Sequence, residues 1–533
     1  MKRFIVPMAI LLILATILVG CGPAATTTPP ATSPSATPTA VDKFGGNLRM
    51  IEIVAPGAPL GAEWEGNLGT YNTQQWVLER LLREKQDGSM TGELAETWDV
   101  VTTPTATANA SITFHLRQGV TFHDGTPWNA DAAAWNIKMY KDGKMFGGTT
   151  NYWASWDVLG PYTLRVNMTA WTNTLLRAWE NYFFVSPTAY AVHGIEWMRT
   201  NMVGTGPFMQ TDYQKDVSFT AVRNPNYWRT DAATGKKLPY LDSMQLLYVA
   251  DETQRENLMK SGGAEILTSS TKQAARFSAA DYNIITRAAG VNMLIPDSKH
   301  ADSPYSDINV RLAVEYAIDR EALAASFGYG FDKAAYQIGS TSSPFYDSAL
   351  AKRSFNLATA QSYMAKADPK WASGFETTII VAPGVNKDPV TAIQAMLAKI
   401  NITVNLQYPE PAAWQTITTT EAPLNSLLYD PLAEFSNYNT TLNVFFSLSG
   451  FYFPTVQRPD NYPTLFKASL AAPAVDPALL KPIADAFYNS CMVITTTYIT
   501  TVFVQTKAVQ DSKITQYGSM QVALDYSGVW LKK

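Results

Sequence analysis

The pattern of apolar and polar residues is most regular between residues 376 and 408. Residues 377–382 predict a buried strand, and residues 402–406 alternate as in a half-buried strand. Between them, apolar side chains recur at helical spacing at Val390, Ile393, Met396, Leu397 and Ile400. Asp388 and Pro389 are residue types that favour the N-cap and the first turn of such a helix. The order strand, helix, strand predicts a right-handed βαβ unit and a parallel sheet.

Residues 94–168 show a different pattern, which is typical of antiparallel structure. Alternation at 112–116 predicts one strand, and residues 157–166 predict two short strands around a turn at Gly160-Pro161. Asn129 is placed to cap a helix that runs to about Tyr140. We therefore expect an α+β region here, separate from the later α/β lobe.

Two further elements follow from local patterns. A helix is predicted from Asp307 to just before Gly328, with one apolar face formed by Val310, Val314, Ala317 and Ile318. A short strand is predicted at 426–429. A chain of 533 residues is too long for one compact core, so these elements are expected to divide among two or three lobes.

The first 21 residues form a targeting segment. Lys2 and Arg3 provide a positive start, and residues 4–20 carry no charge and are too few for a typical membrane span. The segment ends in Leu18-Val19-Gly20-Cys21, which resembles the bacterial lipobox and predicts that Cys21 becomes the lipidated N-terminus. A plain secretory signal or a membrane anchor are the alternatives. The expected location is the cell envelope, outside the cytoplasm, with the chain anchored to a membrane by lipid.

A linker is predicted at residues 22–43. Of the 19 residues from 22 to 40, 5 are Pro, 6 are Thr and 5 are Ala, a composition that favours extended, polyproline-like chain. Cys491 is the only other cysteine, so a lipidated Cys21 leaves it without a disulfide partner. Its apolar surroundings in sequence predict a buried core thiol.

Composition narrows the class of function. The net charge of −4 argues against a nucleic-acid partner, because phosphate binding needs a basic patch. The four histidines, among them His123 in the turn-forming His123-Asp124-Gly125, form no close ligand pair, so no metal site is predicted. Residues 204–207 lack the Lys-Ser/Thr ending of a phosphate loop and predict a turn. A surface hydrolase would need a nucleophile and a base within reach of each other, and no motif for either is present, so neither an enzyme nor a cofactor is expected.

Several motifs, in order along the chain, together resemble the family 5 extracellular solute-binding proteins. They are Gly45-Gly46-Asn47-Leu48-Arg49, Leu94-Ala95-Glu96-Thr97-Trp98, the long stretch from Phe114 to Pro127, Gly204-Thr205-Gly206-Pro207-Phe208, Arg223-Asn224-Pro225-Asn226-Tyr227-Trp228, and Asn309-Val310-Arg311 with Tyr316-Ala317-Ile318-Asp319-Arg320-Glu321. The stretch from Phe114 to Pro127 is the most specific. Together the motifs cover roughly residues 44 to 435.

The resemblance implies a fold as well. We expect a mixed α/β, α+β protein of the type II periplasmic-binding-protein class, with two α/β lobes around a cleft and an extra α+β domain. Domain I would comprise residues 44–85, 205–288 and 505–533. Domain II would comprise residues 86–204, and domain III residues 289–504.

The function that the resemblance implies is capture of a solute for import. A peptide or another small organic solute would bind between domains I and III, the lobes would close by a hinge motion, and a membrane ABC permease would receive the ligand. The protein would act as a monomer. The alternative is a ligand-sensing surface lipoprotein that signals to a membrane receptor.

Candidate ligand-binding residues come from the resemblance and from aromatic character. In peptide-binding members an acidic residue just after a domain III strand pairs with the ligand's amino terminus, and Glu434 is the best positional match, with Asp430 second. The usual sequence around that acid is absent, so a solvated loop carboxylate is the alternative for Glu434. Further candidates for the cleft, with core packing as the competing role, are Trp414, Tyr71, Asn72 and Trp64.

Overall fold

The computed structural model describes residues 42–53, 59–65, 71–105, 108–143, 146–515 and 524–533. Residues Lys43–Lys533 form one compact unit. The strands are β1 Asn47–Glu52, β2 Glu79–Arg80, β3 Leu82–Glu84, β4 Met90–Gly92, β5 Ala95–Val101, β6 Ala110–Leu116, β7 Trp153–Gly160, β8 Thr163–Met168, β9 Phe183–Phe184, β10 Phe208–Gln214, β11 Ser218–Arg223, β12 Ser243–Tyr248, β13 Ile266–Ser269, β14 Tyr282–Pro296, β15 Phe375–Val381, β16 Ile402–Gln407, β17 Ser426–Ala433, β18 Ile494–Thr506, β19 Val509–Gln510 and β20 Trp530–Leu531.

Helices cover both faces of the main sheet. They are α1 Tyr71–Val77, α2 Ala130–Gly143, α3 Gly147–Thr150, α4 Thr174–Arg177, α5 Pro187–Met198, α6 Glu252–Lys260, α7 Thr271–Ala274, α8 Ile308–Ala317, α9 Arg320–Phe327, α10 Leu357–Met364, α11 Lys387–Ala398, α12 Pro411–Thr419, α13 Tyr438–Phe445, α14 Tyr462–Ala471 and α15 Pro477–Ser490. Within the described ranges, none of these helices is long and apolar enough to cross a bilayer.

The main sheet has ten strands in the order β10-β11-β12-β1-β13-β18-β14-β17-β15-β16. Its two long central strands, β14 and β18, pair with each other antiparallel along almost their whole length. The late part of β18 pairs with β13 and with the early part of β14, whereas the late part of β14 pairs with β17 and with the early part of β18. We call residues 43–288 and 500–533 lobe A, and residues 290–499 lobe B.

The hydrophobic cores follow the same division. The largest cluster includes Leu48, Phe114, Trp179 and Phe503, and all its buried members belong to lobe A. Two other clusters lie on opposite faces of the sheet in lobe B, because alternate residues of a strand point to opposite faces. One contains Val291, Met293 and Leu428, and the other contains Leu294, Leu427 and Tyr429. Each lobe therefore has apolar burial of its own.

The antiparallel region predicted at 94–168 is confirmed. Strands β5, β6, β8 and β7 form a four-stranded antiparallel sheet in that order. Helix α2 packs on this sheet, and the Asn129 Oδ1 atom accepts a hydrogen bond of 2.9 Å from the Ala132 nitrogen. Asn129 therefore caps α2 as predicted.

The predicted βαβ unit is confirmed as β15, α11 and β16, and β15 pairs in parallel with both β16 and β17. The predicted cap is wrong by two residues, because Asn386 caps α11 and Asp388 lies in its first turn. The single helix predicted from Asp307 is also wrong. It is two helices, α8 and α9, because the backbone of Ile318 leaves the helical conformation and Asp319 starts a new helix as its cap.

The fold class predicted from the sequence is confirmed, with a large mixed sheet flanked by helices and a separate α+β sheet. The division into three domains stays a prediction. What the structure adds is the path of β14 and β18, which carry the chain between the lobes. Their regular pairing shifts between Ala288 and Gly290, so a bulge lies where the strands pass from one lobe to the other.

Candidate functional site

A pocket of about 210 Å³ lies where β14 passes between the lobes. We call it the crossing pocket. Its described lining residues come from β14, from the last residue of β17 and from three loops, and they are Gln86, Arg287, Ala288, Ala289, Ser342, Ser343, Pro344, Ala433, Glu434 and Ser436. Because both lobes supply lining residues, a change in their relative position changes the shape of this pocket.

Glu434 provides the acidic group of the crossing pocket. It follows the last residue of β17, and its backbone nitrogen donates to the carbonyl oxygen of Ala289 at 3.0 Å, which ties it to β14. The carboxylate accepts hydrogen bonds from the backbone nitrogen and the hydroxyl of Ser340, both at 2.8 Å. Burial raises the pKa of Glu434, and the hydrogen bonds from Ser340 and Ser343 oppose that rise. The side chain is thus fixed in place at the pocket wall.

Arg287 provides the basic group. It lies on β14, in the lobe A part of the strand, and its side chain is only 6% exposed. Burial lowers its pKa to about 10, so the guanidinium stays protonated at neutral pH. Its guanidinium carbon lies 5.8 Å from the centroid of the Phe503 ring. The crossing pocket therefore combines a fixed cation from one lobe with a carboxyl group from the other.

The remaining polar side chains of the pocket are mostly hydroxyls. Ser342, Ser343 and Ser436 supply hydroxyls, but the described lining residues include no histidine or lysine to act as a general base. Among the described residues, no three His, Cys, Asp or Glu side chains gather as metal ligands. Hydroxyls together with one cationic and one acidic side chain are groups that recognise a polar organic ligand.

The other two lobe B candidates lie outside the described lining of the crossing pocket. Asp430 lies on β17 opposite Met293, and burial raises its pKa to about 7. None of the described residues donates a hydrogen bond to its carboxyl group. Trp414 lies on α12 and is half-buried against the core cluster that contains Tyr438 and Leu442. The structure brings Glu434 to the crossing pocket, whereas neither Asp430 nor Trp414 is among the described residues that line it.

Trp64 lies in the aromatic core of lobe A. It is 4% exposed and makes edge contacts with the rings of Trp135 at 5.8 Å and Tyr190 at 6.0 Å. Tyr71 and Asn72 begin α1, but their side chains are outside the described part of the chain, as is Cys21.

A second and larger cavity, of about 420 Å³, lies against the opposite face of the sheet. Its lining includes Lys272 of lobe A and Tyr329, Asp332, Asp388 and Tyr429 of lobe B. Burial raises the pKa of Asp332 to about 6, and its Oδ1 atom accepts a hydrogen bond from the Thr500 nitrogen at 3.1 Å. This cavity offers an inter-lobe site of similar polarity but without Glu434 or Arg287.

His123 serves the fold. It is buried between the motif that contains it and the turn at 204–207, with one ring nitrogen 2.9 Å from the carbonyl oxygen of Gly206. Burial lowers its pKa to about 4, so the ring is neutral at pH 7. The long signature stretch and the turn predicted from the sequence are therefore joined through one imidazole.

Arg287 is the pocket residue that the sequence analysis missed. A lone arginine in a run of apolar and small residues gives no periodic signal, and the bulge at 288–290 breaks the alternation that would assign its face. The available signal was the charge itself, because an arginine among apolar and small residues is rarely buried without a partner or a role.

The chain is similar over much of its length to curated bacterial binding proteins. It is 24% identical over 371 residues to "Heme-binding protein A" of Haemophilus influenzae, covering 63% of this chain and 65% of that protein, slightly under two thirds of its length. It is 23% identical over 396 residues to the "Nickel-binding periplasmic protein" of Escherichia coli, covering 66% and 72%. It is 28% identical over 264 residues to a "Glutathione-binding protein" of Pectobacterium atrosepticum, covering 45% of each.

Solved structures share the fold. HbpA2 from Haemophilus parasuis matches with a TM-score of 0.79 and 19% identity, covering 92% of this chain and 100% of the other. DppA from Helicobacter pylori, in complex with the peptide STSA, matches with a TM-score of 0.69 and 19% identity, covering 92% and 99%.

Residues 89–464, most of the described chain, match the family model for the middle region of the bacterial extracellular solute-binding proteins, family 5. The match includes the signature stretch from Phe114 to Pro127, the βαβ unit and Glu434. The resemblance recognised in the sequence is confirmed, and the chain belongs to family 5 of the bacterial extracellular solute-binding proteins.

Proposed function

We propose that this protein captures a small polar organic solute in the crossing pocket and delivers it to a membrane ABC importer without chemical change. The observation that carries the proposal is the placement of Arg287 and Glu434, one from each lobe, around a single pocket at the strand crossing. A ligand that contacts both lobes favours the closed arrangement, and closure is the signal that an importer can read.

The charges in the pocket restrict the ligand. A positive group would bind near Glu434 and a negative group near Arg287, so peptides and related amino-acid conjugates fit best. The name of one relative, a glutathione-binding protein, supports this class of ligand. Other relatives are described as binding heme and nickel, so those ligands are tested as well. Capture that is efficient but reversible corresponds to a dissociation constant on the order of micromolar.

Native mass spectrometry of residues 43–533, purified without unfolding, tests the proposal. These residues form one compact unit, so we expect the fragment to retain the fold. We expect a discrete added mass, or a ladder of peptide masses, that fragmentation identifies. If no bound mass is detected, the protein is screened by thermal shift with STSA peptide, glutathione, heme and nickel chelates. Failure of all four to stabilise the protein would contradict the proposal.

Two variants assign the ligand to its cavity. Glu434→Gln removes the charge at the crossing pocket but keeps the size and one of the two acceptor oxygens for Ser340, so we expect at least a tenfold loss of affinity. Asp332→Asn is the matched control, because it changes a buried carboxyl group in the larger cavity on the opposite face. A loss of affinity in Asp332→Asn alone would move the site to that cavity.

We further propose that Cys21 carries a lipid that anchors the protein on the outer side of a membrane. The support is the four-residue pattern Leu18–Cys21 after an uncharged apolar segment. Cells fed with an alkyne-labelled fatty acid should label the full chain but not a Cys21→Ala variant. Equal labelling of both chains would contradict the anchor.

The proposed partner is an ABC permease, with the protein acting as a monomer. Delivery is tested by uptake of the radiolabelled ligand in cells that lack the gene, with and without the wild-type chain. Restored uptake supports import. Binding without any effect on uptake would overturn delivery and leave capture intact.

A further inference from the structure

A cluster of buried polar side chains joins the two lobes at a place distinct from the crossing pocket. Asn173 of lobe A is at its centre. The backbone nitrogen of Asn173 donates to the carbonyl oxygen of Leu470 at 2.9 Å. Its Nδ2 atom donates to the carbonyl oxygens of Ser469 at 2.8 Å and Ala474 at 3.3 Å. One lobe A residue thus binds the end of α14 in lobe B.

Asn173 makes these contacts in place of a local one. It occupies the N-cap position of α4, where an asparagine side chain normally accepts a hydrogen bond from its own helix, but it makes no such bond. Asn437 of lobe B repeats the pattern, because it occupies the N-cap position of α13 without a side-chain capping bond. Its Nδ2 atom instead lies 3.4 Å from the carbonyl oxygen of Asn173. Two capping residues therefore face each other across the lobes.

Asn439 and Ser469 complete the amide part of the cluster. The Asn439 Nδ2 atom donates to the Asn173 Oδ1 atom at 3.2 Å, and the Ser469 hydroxyl donates to the Asn439 Oδ1 atom at 2.8 Å. Both Asn439 and Ser469 are fully buried, and Asn173 is 2% exposed.

A charged part lies beside it. The Glu84 Oε1 atom accepts a hydrogen bond from the backbone nitrogen of Asn437 at 2.9 Å, and its Oε2 atom lies 3.4 Å from the Arg177 Nε atom. The Arg177 guanidinium carbon lies 4.9 Å from the centroid of the Phe435 ring. Lobe A thus presents an acid and a base to the start of α13.

The character of this contact distinguishes it from the interior of either lobe. The clusters of buried hydrophobic residues end within their own lobes, and polar groups dominate where α13 and α14 meet lobe A. Water can satisfy these amides and carbonyls when the lobes separate, so each hydrogen bond between the lobes adds only modestly to the stability of the closed form. An interface of this kind fixes the geometry of the contact, yet little free energy is needed to separate its two sides.

We propose that the Asn173 cluster is a closure latch, formed when the lobes close and broken when they open, which sets the lifetime of the closed form without touching the ligand. The inference rests on the proposed capture function, because it assumes that the lobes open and close. Residues 173, 437 and 439 are then positioning residues for solute capture.

Hydrogen exchange of ligand-free residues 43–533 tests the latch. The reporters are the amides of Asn173 and Asn437, which donate across the lobes, and the reference amides are those of β14 and β18. We expect the reporters to exchange at least about tenfold faster than the reference amides, because lobe opening exposes them without unfolding. Equal protection of both sets would show a permanent interface and overturn the proposal.

The variant Asn173→Ala sharpens the test. It removes three side-chain hydrogen bonds across the lobes, so we expect exchange at Asn437 to rise by about ten- to hundredfold. The reference amides should not change. Asn129→Ala is the control, because it removes the cap of α2 within lobe A and should leave exchange at Asn437 as in the wild type.

The outcomes separate the latch from the capture function. A uniform loss of protection in Asn173→Ala, including β14 and β18, would assign Asn173 to stability alone and contradict the latch. Because no ligand is present, that result leaves the mass-spectrometric test of capture untouched. If hydrogen exchange supports the latch but no solute binds to or stabilises the protein, the latch stands and the proposed capture function is contradicted.

Discussion

A Cβ atom at Gly290 of β14 would lie 2.0 Å from the carbonyl oxygen of Leu432 in β17, so only glycine fits where these two strands meet at the crossing. Gly290 also follows the bulge at which β14 leaves lobe A. The close approach of the two backbones fixes the end of β17, and with it Glu434, relative to the strands that connect the lobes.

We therefore expect Gly290→Ala to destabilise the fold by about 1–3 kcal/mol, because the backbone of β17 must move to admit the methyl group. Urea denaturation of residues 43–533 measures the change. Gly160→Ala is the control, since no atom lies within 4 Å of a Cβ at that position, and it should remain within about 0.5 kcal/mol of the wild type. A wild-type midpoint for Gly290→Ala would contradict the role of this contact.

Local patterns predicted the local elements well. The βαβ unit of β15, α11 and β16 was predictable because apolar spacing at 390, 393 and 397 is a property of the helix itself. The sequence predicts the N-terminus of that helix two residues too late. Asn386 and Asp388 both have side chains suited to capping, and only the loop geometry selects Asn386.

Local sequence patterns could not predict the long-range features of the fold. The expected start of domain III at residue 289 falls in the middle of β14, because a strand that serves two lobes shows no break in hydrophobicity where it crosses. Glu434 was placed by resemblance, whereas Arg287 and the Asn173 cluster depend on contacts between residues far apart in the sequence. Trp64 illustrates the same limit, because its burial among Trp135 and Tyr190 is not visible from its neighbours in sequence.

Glu63 should make stability depend on pH. It is 1% exposed, and burial raises its pKa from 4.5 to about 8, against hydrogen bonds from Gln74 and Tyr140. A carboxyl group whose pKa is higher in the fold than in the unfolded chain stabilises the fold fully when the pH is below the unfolded pKa. That stabilisation is lost as the pH rises through the folded pKa. Between pH 6.5 and 8, Glu63 should therefore lower the free energy of unfolding by about 1.4 kcal/mol per pH unit.

The measurement is chemical denaturation from pH 6.5 to 8.5. His123 opposes the change only near pH 6.5, where its side chain still binds a proton in the unfolded chain but not in the fold, and this contribution is the same in the variant. Glu63→Gln should flatten the profile relative to the wild type. A variant profile as steep as that of the wild type would assign the pH dependence to other buried carboxyl groups, such as Glu52.

The buried ion pair of Arg80 and Glu180 should be sensitive to loss of one partner. The Arg80 Nη1 atom lies 2.6 Å from the Glu180 Oε1 atom, and both side chains are at most 2% exposed. We expect Glu180→Ala to destabilise the fold by about 3–5 kcal/mol, because it leaves the buried Arg80 with only the more distant Glu93, at 3.4 Å, and leaves the Glu84 backbone nitrogen without its acceptor. Thermal and urea denaturation measure the loss, and Lys138→Ala, which breaks the exposed pair with Asp142, should cost no more than about 1 kcal/mol.

Cys491 should be unreactive in the folded protein. Its side chain is 1% exposed, and burial raises its pKa to about 12, so almost no thiolate forms at pH 8. In residues 43–533 it is the sole cysteine, and Ellman's reagent should detect no thiol in buffer and one thiol per chain in guanidinium chloride. Rapid labelling in buffer would contradict its place in the core.

Capture between two lobes is the central claim, and small-angle X-ray scattering tests it most directly. Residues 43–533 would be freed of ligand by unfolding and refolding, and then titrated with the compound that mass spectrometry identifies. We expect the radius of gyration to fall on binding to the value calculated from the present structure, because a ligand that contacts Arg287 and Glu434 draws the lobes together. Saturable binding with an unchanged scattering curve would contradict closure around the crossing pocket.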